Sequence, residues 1–177
     1  PSILPTLIEA AVRNEARGQA GADLCEVGPV FLGTKPEDQQ IMAAGIRCGA
    51  HGARHWADEN ASRDIDLYDA KADALAALEG CGAPAANAQI TAEATEHYHP
   101  GRSGSLSLGK NILAHFGEIH PGVLEEMDVK FPVVGFEIYL ENIPEAKKKG
   151  TEKAMLHLEP LQPLSRDFAF LVDKDLP

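Results

Sequence analysis

The chain has 177 residues, 44% of them hydrophobic, with 16 Lys and Arg against 27 Asp and Glu and a formal net charge of −11. That length supports one domain with a real core, and the apolar fraction excludes a disordered or fibrous chain. No apolar run approaches the ~20 residues that span a bilayer, no basic segment leads an apolar stretch as in a signal peptide, and the acidic balance speaks against stand-alone binding to nucleic acid.

In chain order, Leu4, Leu7, Ile8, Ala11 and Val12 share one helical face, with Pro1 and Pro5 near the first turn and Gly18 as the stop. Residues 22–31 switch to strand alternation, with Cys25, Val27, Pro29 and Phe31 on one side, and Pro29 points to an edge or a strand end. A polar loop at 33–40 leads to a partner strand at 40–48, giving an antiparallel hairpin. Residues 51–63 are polar and carry no clear pattern. Leu67, Ala70, Ala74, Leu75 and Leu78 return to helical spacing, closed by Gly80 and Gly82. After a linker at 84–88, residues 88–95 are expected to be a strand. An irregular region is expected next, with Gly101 and Gly104 allowing a turn at positive φ. Within and after it lie short strands around Leu106 and 114–116, and Pro121 opens a short helix through Met127. Val134, Phe136, Ile138 and Leu140 alternate with Gly135, Glu137 and Tyr139, a clear strand. A short helix and a lysine loop are expected over 143–150, and Phe168, Phe170 and Val172 mark a last strand. The pattern predicts an α+β fold with a mainly antiparallel sheet flanked by helices.

Few residues read as chemistry. His97 and His99, with Glu96, would share one side of a strand, and His115, His120 or Asp128 would complete a metal set. No CxxC or HExxH spacing supports this, and ordinary hydrogen-bonded histidines are the simpler reading. Ser103-Gly104-Ser105 lacks the G-x-S-x-G elbow, and no Gly-rich phosphate cradle is present. Arg102 suits either a bidentate anion contact or a loop anchor, the latter favoured. Glu26 reads as a surface acid or half of an ion pair. Lys147-Lys148-Lys149 reads as a solvated loop ahead of an RNA contact. Cys25, Cys48 and Cys81 are odd in number and widely spaced, as expected of thiols in a reducing, cytoplasmic compartment. The first residue is Pro1 and both ends read as cut, so a fragment of a longer protein is expected.

Several phrases in fixed order carry a resemblance. Pro1-Ser2-Ile3-Leu4-Pro5-Thr6-Leu7-Ile8, with Arg13-Asn14, opens the series. Leu24-Cys25-Glu26-Val27-Gly28-Pro29-Val30-Phe31, Arg54-His55-Trp56 and Asp66-Leu67-Tyr68-Asp69-Ala70-Lys71 follow. His99-Pro100-Gly101-Arg102-Ser103-Gly104, Gly117-Glu118-Ile119-His120-Pro121 and Ser165-Arg166-Asp167-Phe168-Ala169-Phe170-Leu171-Val172 complete it. Together they resemble the synthetase-like core of the β subunit of bacterial phenylalanyl-tRNA synthetase, over nearly the whole chain.

The resemblance implies a class II aminoacyl-tRNA synthetase-like sheet over residues 1–150, and in 151–177 a linker and the first strand of a truncated, ferredoxin-like anticodon-binding domain. It implies a non-catalytic core that supports α-subunit assembly in an (αβ)2 heterotetramer and positions tRNA(Phe). Active class II enzymes carry phosphate-gripping Arg residues on their motif 2 and motif 3 strands. The matching stretches, Leu24–Phe31 and residues 133–140, contain none, leaving Arg47 and Arg102 as the nearby substitutes. No catalytic, cofactor-binding or metal residue is therefore expected here. ATP and magnesium belong to the parent enzyme, whose magnesium-binding residues and editing module would lie outside this chain. The rival readings are a regulatory or binding module reusing the fold, and a metal-dependent hydrolase built on His97 and His99.

Overall fold

The computed structural model describes residues 1–19, 21–49, 63–145, 164 and 166–174. Helix α1 (Leu4–Glu15) carries Pro5 in its first turn, where a missing N–H costs nothing, and the chain leaves it through Gly18 at φ +79°. Its buried side chains are Leu4, Leu7, Ile8 and Ala11, as the spacing predicts. Strands β1 (Leu24–Phe31) and β2 (Gln39–Cys48) form the expected antiparallel hairpin, Leu24 opposite Ile46 and Phe31 opposite Gln39. Helix α2 (Leu67–Gly80) starts at Asp66, whose carboxylate accepts from Tyr68 N at 2.8 Å, while Asp69 Oδ2 accepts back from Asp66 N at 2.9 Å. Then come β3 (Gln89–Thr91), β4 (Tyr98–Leu108), β5 (Asn111–Ile119), helix α3 (Pro121–Glu126) and β6 (Val133–Tyr139).

The six strands lie in the order β1-β2-β6-β5-β4-β3, every neighbouring pair antiparallel, so the α+β expectation holds. Pleating divides the sheet into two faces. Met42, Ala44, Ile46, Cys48, Ile119 and Val133 pack with Leu4, Leu7, Ile8 and Ala11 of α1. Leu106, Ala114, Phe116, Val134 and Ile138 pack with Ala70, Ala74 and Leu78 of α2 on the other face. Each fully buried Leu or Ile contributes about 1.5–3 kcal/mol relative to exposure. Strand β6 is central and covered on both faces. Strand β1 is an edge, consistent with Pro29, and leaves Val27 and Phe31 exposed.

Four expectations need correction. Residues 99–104 are not irregular: they run within β4, paired to β5 with a register shift between Tyr98 and Ser103. Gly101 and Gly104 are not at positive φ. A Cβ on Gly104 would meet Thr91 O at 2.6 Å, so that glycine serves close strand approach instead of a turn. The strand expected at 88–95 contracts to Gln89–Thr91. The expected helix after β6 is a single 3-10 turn at Leu140–Asn142; residues 143–145 are not helical and 146–150 lie outside the described residues.

The chain divides into one unit at Pro1–Ala146 and a second at Lys147–Pro177. In the second, residues 166–173 form no ladder among the described residues. Alternation marks a strand only where a partner pairs with it, and Phe168, Phe170 and Val172 stand exposed. The Lys147–Lys149 run and the Arg54-His55-Trp56 phrase lie outside the described residues.

Candidate functional site

The α1 face of β6 carries the most unusual side chain in the molecule. Glu137 is 2% exposed, on a strand otherwise apolar on both sides. A carboxylate so placed needs hydrogen-bond donors. Ser2 Oγ donates to Oε1 at 2.6 Å, His97 Nε2 contacts Oε2 at 2.8 Å, and the Tyr98 hydroxyl donates to Oε2 at 3.4 Å. Ser2 also accepts from Leu4 N at 3.0 Å, so one hydroxyl begins α1 and fastens it to the sheet. Opposite Glu137, on β5, lies the buried His115, whose Nδ1 is 2.8 Å from Ser105 Oγ. The Ser105 hydroxyl also donates to the Glu93 carbonyl. Burial holds the His115 imidazole below its ordinary pKa, against the pull of Glu137. Burial, then the Glu137 charge, pushes the Tyr98 phenol well above its usual range and raises Tyr139 in the same way.

Two cavities open beside this cluster. One, of about 250 Å³, is lined by Ser2, Leu4, Ile8, His97, Ile119 and Val123 among others. The other, of about 440 Å³, is lined by Val30, Leu32, Met42, Thr95, Glu96, His97, Glu137 and Tyr139 among others. Among the described residues no Lys or Arg lines either one, and Pro1 borders both.

The two cations named as substitutes are held elsewhere. Arg47, on the α2 face of β2, grips Asp73 through two bonds of 2.6 and 2.8 Å and Asp23 through a third of 2.9 Å. The Asp73 bond, offset in part by burial, raises its pKa further. Arg102 Nε lies 2.6 Å from Glu118 Oε2, tying β4 to β5. Its partner is thus a carboxylate on the neighbouring strand and not a loop carbonyl, and its side chain stays half exposed.

The histidines separate. His97 serves Glu137, while His99 Nδ1 accepts from Gly101 N and His120 Nδ1 caps α3 by accepting from Gly122 N, each at 3.0 Å. Asp128 pairs with Lys130. Among the described residues no group of three His, Cys, Asp or Glu is placed to hold a metal ion. Glu26 is exposed on β1. Cys48 is buried, and desolvation, then the charges of Asp23 and Glu15, pushes its thiol up to about 12. Glu137 was missed as a site residue because its strand face read as the polar one. The available signal was a single acid inside the run Val133-Val134-Gly135-Phe136-Glu137-Ile138-Tyr139, too apolar for a one-sided strand.

Comparison with known proteins matches residues 1–140 to the family described as the phenylalanyl tRNA synthetase beta chain CLM domain. The chain is 52% identical over 174 residues to the phenylalanine–tRNA ligase β subunit of Rhodospirillum rubrum, covering 98% of this chain and 22% of that one. It is 51% identical over 174 residues to that of Paramagnetospirillum magneticum, with the same coverage, and 50% over 173 residues to that of Cereibacter sphaeroides, covering 98% and 21%. The chain thus spans about a fifth of the length of these relatives. Among solved structures, pyrrolysyl-tRNA synthetase from Desulfitobacterium hafniense is similar with a TM-score of 0.57 at 18% identity, covering 80% of this chain and 47% of that one. A second structure of that enzyme gives 0.58 at 17%, covering 80% and 46%. The fold is that of a class II aminoacyl-tRNA synthetase, a mainly antiparallel sheet flanked by helices.

Proposed function

The chain belongs to the phenylalanyl-tRNA synthetase β-chain family, and we propose that it is the catalytic-like core of a phenylalanine–tRNA ligase β subunit that performs no catalysis itself. Its part in the ligase is to support the α subunit within an (αβ)2 heterotetramer and to help position tRNA(Phe), in the cytoplasm. ATP and magnesium serve the parent enzyme, not this core. Residues 1–150 form the core, and 151–177 lead into a C-terminal anticodon-binding domain.

The observation that carries this reading is the fate of the cations. Strands β1 and β6 bear no Arg or Lys. Arg47 and Arg102 are both committed to carboxylates. Class II activation stabilises charge developing on a phosphate, and a cation whose charge is already offset by a neighbouring carboxylate is poorly suited to that task.

The test is pyrophosphate exchange with phenylalanine and ATP, using this chain free of α subunit. The expected result is no exchange above background, together with co-elution of the chain and a separately purified α subunit. Exchange that persists through purification and disappears in Arg102→Ala overturns the reading.

A further inference from the structure

Strand β1 ends the sheet, and among the described residues no strand lies beyond it. We propose that its open edge takes an extended segment of a partner chain by strand addition, apolar on one side and basic on the other. This goes beyond the scaffold reading and does not rest on it.

Backbone pairing fixes the shape of the partner. Leu32 N donates to Asp38 O at 2.8 Å, one step past the pair Phe31 and Gln39. Bonded and unbonded pairs alternate along an antiparallel ladder, so Cys25, Val27, Pro29 and Phe31 turn their backbone groups away from β2. Ile41, opposite Pro29, agrees with this, since its N–H goes to Glu141 Oε1 instead of β1. The open edge therefore offers the N–H groups of Cys25, Val27 and Phe31, and their carbonyls with that of Pro29, which has no N–H to give. Such a row is a template for another strand.

Side chains fix the apolar side. Val27 stands opposite Ala43 and Pro29 opposite Ile41, on the α2 face of the sheet. Val27 is 66% exposed, Phe31 61% and Ile41 37%, so α2 does not cover them. β-Branched or aromatic residues on an added strand would pack beside them as cross-strand neighbours.

Charge fixes the other side. Glu26 stands opposite Ala44 on the α1 face, exposed, and has no hydrogen bond or ion pair among the described residues. The Pro1 ammonium lines a cavity on that face with Val30 but does not pair with Glu26. A Lys or Arg on the added strand is the cross-strand neighbour that Glu26 lacks. The net charge of −11 favours a basic segment and repels a second copy of this chain.

The experiment titrates this chain with a short capped peptide of alternating lysine and valine and follows the amide resonances of Cys25, Val27 and Phe31. The controls are the matching glutamate–valine peptide and the lysine–valine peptide methylated on every valine nitrogen, which keeps the side chains and removes the donors. The expected result is a saturating shift of the three amides with the lysine peptide, binding at least about tenfold weaker with the glutamate peptide, and none with the methylated one. Val27→Lys and Phe31→Lys, both at exposed positions that leave the core untouched, should each weaken binding at least about tenfold. Glu26→Gln should narrow the gap between the lysine and glutamate peptides. The proposal is overturned if the two peptides bind alike, if the methylated peptide binds as the parent peptide does, or if both lysine variants bind as the parent chain does. It is equally overturned if no saturation appears in the millimolar range, or if the three amides shift on concentrating the chain alone, which would put a second copy on the edge.

Discussion

On the face covered by α2, Arg47 and Arg63 meet Asp73 and Asp69 at the margin of the helix, and each guanidinium keeps a third to a half of its surface in water. On the face covered by α1, Glu137 lies under the helix at 2% exposure and its hydrogen-bond partners among the described residues are Ser2, His97 and Tyr98. The first arrangement gives each carboxylate an Arg partner that reaches water, the buried Asp69 included, and the helix fills the centre with Ala70, Ala74, Leu78, Leu106 and Ile138. The second puts charge at the centre, where donors must stand beside it, and the packing is left with two cavities. One sheet therefore meets α2 through Arg–Asp pairs, and on the other face buries a lone carboxylate under α1 against hydroxyl and imidazole partners.

The sharpest way to break this contrast is to damage each centre in turn. Leu78→Ala, at a fully buried position on α2, should cost about 2–5 kcal/mol in urea denaturation, because a dry core cannot close over the lost side chain. Glu137→Ala leaves the donors of Ser2, His97 and Tyr98 without their acceptor and should cost less, about 1–3 kcal/mol, since water can enter from the adjoining cavity. If Glu137→Ala proves the more damaging of the two, the α1 face is the structural centre and the contrast fails.

A smaller effect should appear with pH. The folded His115 resists protonation, while the unfolded imidazole takes its proton near the ordinary value of 6.5. The unfolded state then binds more protons, so stability should fall as pH drops from about 6.5 toward the lower folded value. Urea midpoints at pH 7 and pH 5 should converge in His115→Gln relative to the parent. An unchanged pH slope in that variant would mean that His115 is not a buried neutral base. The smallest effect belongs to the rim: Arg102→Ala breaks a pair whose guanidinium is half exposed and should cost no more than about 1 kcal/mol in the same denaturation assay.

Much of this architecture could be read from the amino-acid order, and the reasons are local. Helices α1 and α2 announce themselves because apolar spacing and a glycine stop act within a few turns. The β1–β2 hairpin shows because alternation and a polar loop are adjacent in sequence. Strand β4 did not show at 99–104, because Pro100, Gly101 and Gly104 are turn residues by local rules. Their strand conformation comes from β5, more than ten residues away, where Gly117 at φ +150° lets Ser103 approach. Added to Gly117, a Cβ would stand 2.5 Å from Ser103 Cα. The Glu137 cluster was illegible for the same reason. Its members Ser2 and Glu137 are 135 positions apart, and only the folded sheet brings them together.

The placement of β6 has a consequence for the order in which the protein can take shape during synthesis. It is the last strand to be made, yet it lies between β2 and β5. Every ladder bond joining the β1–β2 hairpin to the β3–β5 meander passes through it. Until Val133–Tyr139 leaves the ribosome, the hairpin and the meander share no ladder, and each keeps an open sheet edge. The whole domain then closes on the arrival of seven residues. A nascent chain stalled before Val133 should therefore be sensitive to protease along its full length, and one stalled far enough beyond Tyr139 to clear the exit tunnel should be protected.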